Sequence, residues 1–433
     1  MPAERAGPAG FVIAAPASGA GKSTVTAGLL RAYRNAGVRV SAAKCGPDYI
    51  DPMYHELAAG RPSVNLDPWS MTPEVLAGLA ATQSSDAELL IVEGVMGLFD
   101  GARDGSGSTA DLAAALDLPV IFLVDASHQA QSLAALVHGF NTFRQGVEIA
   151  GVIFNHVGAP SHAAMIEAAL RPLGVPVVGA IPRNDDFTIP SRHLGLVPAA
   201  EIVGVDARIS AISEAVSRSI DLEALRALAR PIATKAEPAT LAPPAQRIAV
   251  ARDIAFCFAY PHLLDGWRRQ GAEISFFSPL ADEGPDAAAG FVYLPGGYPE
   301  LHAARLAQAE SFRSGMHHAV AAGATVYGEC GGYMVLGEGL TDSGGQRHAM
   351  LGLLPLETSF AARKLHLGYR KLTPRGDLPW PGPLRAHEFH YTSILREDGD
   401  AALFDAETAD GQALDPMGRR VGRVMGSFAH VVA

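Results

Sequence analysis

The stretch FVIAAPASGAGKST, Phe11–Thr24, decides the reading of the first half of this chain. Phe11–Ala15 is apolar, too short for the core of a signal peptide and suited to a buried strand. A Gly/Ser loop follows, and helical spacing then runs from Lys22 to Asn35, closed by Gly37. Strand, loop and helix in that order form a phosphate cradle, because backbone N–H groups and the helix N-terminus converge on one anion. Ser18, Gly19, Ala20, Gly21, Lys22, Ser23 and Thr24 are therefore expected to bind ATP. Lys22 would reach the β- and γ-phosphates, and the Ser23 hydroxyl would bind Mg2+. Pro16 stands where the first glycine of G-x-x-x-x-G-K-[ST] is usual.

Further apolar runs lie at Val38–Ala43, Leu89–Val92, Val120–Val124, Ile149–Phe154 and Val177–Ala180, most of them separated by helical stretches. Continuous apolar runs of this kind read as the strands of a parallel sheet. Such sheets bind ligands beyond the carboxyl ends of their strands. Asp48 and Asp51 lie in KCGPDYIDP after the second strand, and Glu93 ends another in LLIVEGVMGLFDG. Asp48 and Glu93 are the expected metal ligands, ahead of Asp51; the two aspartates could equally shape turns beside Pro47 and Pro52. Asn155 either hydrogen-bonds adenine or forms a turn at its strand end. Arg183, Arg192 and His193 sit in PRNDDFTIPSRHLGL, which reads as a solvated loop or as a clamp for an acidic substrate; spacing favours neither.

Residues 226–246 carry four prolines and no sustained period, so they read as a linker. Beyond it a second α/β pattern runs through Ile248–Ala251, Tyr260–Gln270, Ile274–Phe277, Phe291–Leu294 and Thr325–Tyr327, and the chain ends in a strand at Arg423–His430. Cys330, in Gly328-Glu329-Cys330-Gly331-Gly332, sits on a sharp strand-to-helix turn that exposes a nucleophile, and the helix N-terminus would favour its thiolate. Gly296 and Gly297, ending the preceding strand, can supply the N–H groups of an oxyanion hole. His430 is the expected base. His387 and His390 in HEFH have a metal-like spacing, but no further ligand cluster is visible in the sequence, and zinc is not expected.

Composition narrows the functions further. Three cysteines in 433 residues cannot build a disulfide framework, which suits a reducing, cytoplasmic setting. A net charge of −11 disfavours non-specific nucleic-acid binding, and no apolar run is long enough to span a membrane.

Together, APASGAGKST, KCGPDYIDP, VEGVMGLFDG and RHLGLVPA, with YLPGGYPE, GECGGYMVLG, AHEFHYTSI and GSFAH, make the chain resemble the corrinoid a,c-diamide synthases of cobalamin biosynthesis over nearly its whole length. The first four stretches are similar to dethiobiotin synthetase and the last four to class I-like glutaminases. The resemblance implies an α/β fold, with a P-loop parallel-sheet synthetase domain over 1–225, the linker, and a class I-like glutamine amidotransferase domain over 247–433. It implies that Cys330 and His430 release ammonia from glutamine through a thioester. ATP, with Mg2+, would phosphorylate acetate carboxylates of an anionic corrin macrocycle, and ammonia would displace the phosphate. No nucleic-acid or membrane partner is implied, and a homodimer is compatible with it. Class I glutaminases usually carry Glu two residues after the histidine; here that residue is Val432, and only three residues follow His430, so the third member of the triad is unassigned. No motif separates metal-free hydrogenobyrinic acid from cobyrinic acid, although the Ala/Gly/Arg-rich composition leans toward the former. Cobyric acid synthase is a close rival, and a partition-type ATPase a remote one, since Ala17 stands where those proteins carry an extra lysine.

Overall fold

The apolar runs of the first half form the strands of one sheet. The computed structural model describes residues 7–433 except 185–186, 188–190, 193–194, 234–239 and 400, and only the backbone of 191–192, 195–196 and 200. The chain divides into two compact units, Met1–Ala239 and Thr240–Ala433.

In the first unit seven parallel strands lie in the order Val64–Leu66, Val40–Cys45, Leu89–Glu93, Ala9–Ala14, Val120–Asp125, Ile149–Val157, Val177–Pro182. The first strand is central, and Phe11, Val12 and Ile13 have no exposed surface. Burial of such side chains stabilises a sheet by about 1.5–3 kcal/mol each. Helix Lys22–Asn35 starts where the sequence predicts, at Gly21, whose φ of 95° suits a residue without Cβ. The second strand begins two residues later than expected and runs on to Cys45, which brings Lys44 into the ladder directly opposite Glu93. Short Val64–Leu66 has too few residues to show a period.

The start of the expected linker is folded. Helix Leu222–Ala227 is capped by the Asp221 side chain, which accepts from Ala224 N–H at 2.9 Å. Arg230–Pro231 pairs antiparallel with Ala9–Gly10.

The second unit holds the strands Glu273–Phe277, Arg247–Ala251, Phe291–Leu294, Thr325–Glu329 and Val424–Ser427 in parallel, edged by antiparallel Arg419–Val421. Beside it lies an antiparallel sheet ordered Phe404–Thr408, His366–Pro374, Leu384–His390, Ala429–Val431. The single terminal strand expected at Arg423–His430 is therefore two. Val424–Ser427 pairs with the strand that ends at Glu329, and Ala429–Val431 with the strand that carries His387. Phe428, 4 % exposed, turns the chain from one sheet to the other while staying in the core. A continuous apolar run cannot reveal such a change of partner.

Helix Gly331–Leu336 packs so closely on Phe291–Leu294 that a Cβ at Gly332 would collide with the backbone carbonyl of Leu294. Neither backbone element can yield cheaply. Gly332→Ala should therefore lower unfolding stability by roughly 1–3 kcal/mol, read from the denaturant midpoint of the full chain. An unchanged midpoint would show that the turn relaxes freely.

Candidate active sites

In the first unit two strand ends and two helix starts converge. Ser23, in the first turn of Lys22–Asn35, donates to Glu93 Oε1 at 2.7 Å and to Asp51 Oδ2 at 3.2 Å. Lys44 Nζ donates to Asp51 Oδ2 at 2.5 Å, to Glu93 Oε1 at 2.8 Å and to the Gly94 carbonyl at 3.2 Å. The other Glu93 oxygen lies 2.6 Å from His55 Nε2, and His55 Nδ1 lies 3.2 Å from Ser63 Oγ. Glu93 and His55 have no exposed surface. Burial opposes the Glu93 charge, but Lys44 and His55 outweigh it and hold the carboxyl well below the usual range. Asp51 moves the other way, raised by burial and by the neighbouring Asp48 and Glu93 carboxylates. Burial and the Lys44 charge bring Lys22 down to about 8; its Nζ donates to the carbonyls of Met96 at 2.6 Å and Ala17 at 3.3 Å.

Lys22, Ser23, Lys44, Asp51 and Glu93 line a cavity of about 530 Å³, with Asp48 and Asn155 also on its wall. The Asp51 and Glu93 carboxylates, crowded together beside the Ser23 hydroxyl, form an all-oxygen donor set that a small hard cation fits. The carboxylate at Ser23 is that of Asp51 rather than Asp48. Asp48 Oδ1 accepts from the N–H groups of Ile50 at 2.7 Å and Asp51 at 3.2 Å, so it organises the start of helix Asp51–Ala59. The Asn155 side chain braces the phosphate loop, its Nδ2 donating to the Ala20 carbonyl at 2.9 Å. A Cβ on Gly21 would strike that same Nδ2, so the loop closes only around glycine. Arg183 is exposed, and its N–H donates to the Val157 carbonyl at 3.1 Å. Arg192 pairs with Gly195 in a two-residue ladder, and His193 lies outside the described residues.

In the second unit the parallel strand ending at Glu329 delivers Cys330 at φ 47° and ψ −104°, a conformation that strains any residue with a Cβ by roughly 1–3 kcal/mol. The Cys330 N–H donates to the Ser427 carbonyl at 2.8 Å and holds the turn. A Cβ placed on Gly296 would strike His430 Cε1 and lie 3.4 Å from Cys330 Cβ, so thiol, imidazole and Gly296 share one small space. A Cβ on Gly331 would lie 3.0 Å from the Gly297 nitrogen, which sets that amide beside the nucleophile turn. His430 stands opposite His387 in the ladder, and their rings stack at 4.8 Å.

Burial, then the His387 and His390 rings, keep His430 well below the usual histidine range, so it is neutral and able to accept a proton. The expectation of a resting thiolate is corrected: burial, then Glu300, push the Cys330 thiol up, and the Gly331 N–H only partly offsets this. His387 and His390 do not share a ligand site. His390 instead meets His366 and Glu388, a third ligand group not visible in the sequence, but the Arg370 guanidinium holds Glu388 at 2.6 Å and already supplies its positive charge.

Sequence reasoning missed Lys44, His55 and Glu329. A lysine inside the apolar strand VSAAKC, or a glutamate ending VYGE, demands a buried partner, by the logic that singled out Glu93.

Among known families, the CobQ/CobB/MinD/ParA nucleotide binding domain matches residues 11–197, and the CobB/CobQ-like glutamine amidotransferase domain matches residues 247–433. Proteins named hydrogenobyrinate a,c-diamide synthase are similar along the whole chain. That of Brucella abortus biovar 1 (strain 9-941) is 58 % identical over 98 % of both chains. That of Rhizobium meliloti (strain 1021) is 52 % identical over 98 % of this chain and 99 % of its own, and that of Rhodobacter capsulatus 49 % identical over 99 % of both. At such identity over both units, the chain belongs to the hydrogenobyrinate a,c-diamide synthase family.

Proposed function

We propose that this protein takes ammonia from glutamine at Cys330 and uses ATP to convert the a and c acetate carboxylates of hydrogenobyrinate to amides, a step of cobalamin biosynthesis. The observation that carries this reading is the pairing, in one chain, of the Ser23–Lys44–Glu93 cluster with the Cys330–His430 turn, in a chain at least 49 % identical to those relatives over both units.

The glutaminase half begins with two neutral groups. As glutamine arrives, the Cys330 proton passes to the His430 imidazole while sulfur attacks the side-chain amide carbon. The N–H groups at Gly296 and Gly297 would face the oxygen as it gains charge. The imidazolium returns its proton to the departing nitrogen, ammonia leaves, and a thioester remains. Water then cleaves the thioester to glutamate and free thiol.

In the synthetase half, carboxylate is a poor electrophile, and phosphorylation supplies a leaving group. Ser23, Asp51 and Glu93 would hold Mg2+, which when bound neutralises phosphate charge. Lys22 lies in the phosphate loop and, once phosphate replaces its carbonyl partners, would carry a full positive charge. Lys44 keeps Glu93 ionised and holds the Asp51 carboxyl in place. His55 orients the far oxygen of Glu93.

Replacing Lys44 by methionine removes the cation from between Asp51 and Glu93. Breaking such a buried set should destabilise the protein by about 3–5 kcal/mol. Added Mg2+ should restore more of the thermal midpoint in Lys44→Met than it adds to the wild type. No Mg2+ response in either protein would remove the metal assignment.

Cys330→Ala should separate the two half-reactions. Amidation supported by glutamine should vanish, whereas amidation supported by ammonium salt at mildly alkaline pH should persist, each followed by mass gain of hydrogenobyrinate. Wild-type glutamine use by this variant would end the assignment of Cys330, and failure to amidate the macrocycle from either nitrogen source would count against the substrate.

A further inference from the structure

Glu329 is a carboxylate that neither half-reaction has yet used, and it is among the most enclosed in the second unit, at 1 % exposure. It ends the strand Thr325–Glu329 one residue before the nucleophile, and three contacts fix it. The Tyr293 hydroxyl donates to Oε2 at 2.7 Å. The Val431 N–H donates to Oε1 at 3.1 Å and so ties down the strand immediately after His430. Oε2 then lies 3.9 Å from His430 Nδ1, with both side chains 2 % exposed. Position 432 offers no carboxylate, since Val432 is fully buried and its carbonyl accepts from His262.

We propose that Glu329 is the positioning residue of the glutaminase site, holding the His430 strand by its backbone and stabilising the positive charge that His430 acquires when Cys330 gives up its proton. The inference rests on the reading of Cys330 and His430 given above. At 3.9 Å the carboxylate is inside ion-pair range and beyond hydrogen-bond length, so its pull on the ring comes from charge, and such contacts tighten when substrate binds. Burial pushes the Glu329 carboxyl up to about 7, opposed by its Tyr293 and Val431 donors. Two neutral donors meet the carboxylate's charge only in part, and the imidazolium that forms 3.9 Å away meets the rest. The requirement for a carboxylate beside the base is then met from the nucleophile's own strand instead of from the residues after the histidine.

In the full-length protein, Glu329→Gln keeps the shape and an acceptor for the Val431 N–H but loses the charge. The expected result is a fall in kcat for glutamine hydrolysis of about 10²-fold. KM for glutamine, ammonia-supported amidation and the thermal midpoint should stay unchanged. Tyr293→Phe, which leaves the carboxylate and removes one donor, should give a smaller loss confined to kcat. Cys330→Ala in the same series reports on the underlying reading: loss of glutamine use there with wild-type kcat in Glu329→Gln overturns this inference alone. A strut without a charge role would lower the midpoint and the ammonia-supported rate together with kcat, which also overturns it. Should Glu329→Gln not fold, wild-type kcat in Tyr293→Phe is the outcome that rejects the proposal.

Discussion

Glu93 has no exposed surface, and a carboxylate in that position survives only if its charge is met by its neighbours. Lys44 meets it from the neighbouring strand, Ser23 from the helix start and His55 from the helix Asp51–Ala59. Each partner belongs to a different element, so the ionised glutamate fixes the relative placement of the second strand, the phosphate-loop helix and the helix after KCGPDYIDP. Replacing one buried partner costs several kcal/mol, which is much of the stability of a domain. The cluster therefore cannot be an incidental surface network. It is a buried charge cluster, and on the function proposed above its carboxylates are the groups that would hold a divalent cation.

The second unit solves the same problem by other means. Glu329 also ends a parallel strand in the core, yet its immediate partners are a tyrosine hydroxyl and a backbone amide rather than a lysine. Neutral donors leave its carboxyl with a raised proton affinity, where Lys44 holds Glu93 ionised. The difference fits what each site has to do. On the roles proposed above, a socket for a cation and phosphate is served by a carboxylate paired with a lysine, and a site that cycles between neutral imidazole and imidazolium by a carboxylate whose charge is only partly met beforehand.

Much of this was legible in the sequence because local patterns suffice for it. The phosphate loop, the thiol turn and the apolar strands are contiguous signals, and the helix from Lys22 to Asn35 has the bounds that spacing alone indicates. The losses have one origin: a one-dimensional pattern does not show which strands are neighbours. Lys44 looked like the residue after a strand until the ladder set it opposite Glu93. Asp48 and Asp51 are indistinguishable by spacing, and only the turn into Asp51–Ala59 assigns the first to backbone amides and the second to Ser23. The Asn155 amide meets the Ala20 carbonyl across the phosphate loop, a contact between distant segments that spacing does not show.

The same limit explains the terminal strand. Val424–Ser427 must continue the parallel sheet for the Cys330 N–H to find the Ser427 carbonyl, and Ala429–Val431 must leave it for His430 to reach the thiol. One straight strand could satisfy the first demand and would miss the second. Phe428 resolves the conflict by changing sheets while its ring stays packed between Tyr333 of the nucleophile helix and His390 of the antiparallel sheet. The strain at Cys330 is tolerated because both sides of the turn are pinned, by Ser427 before the helix and by close packing of Gly332 on Leu294 after it. Nucleophile and base thus come from different sheets, and the bend at Phe428 joins them.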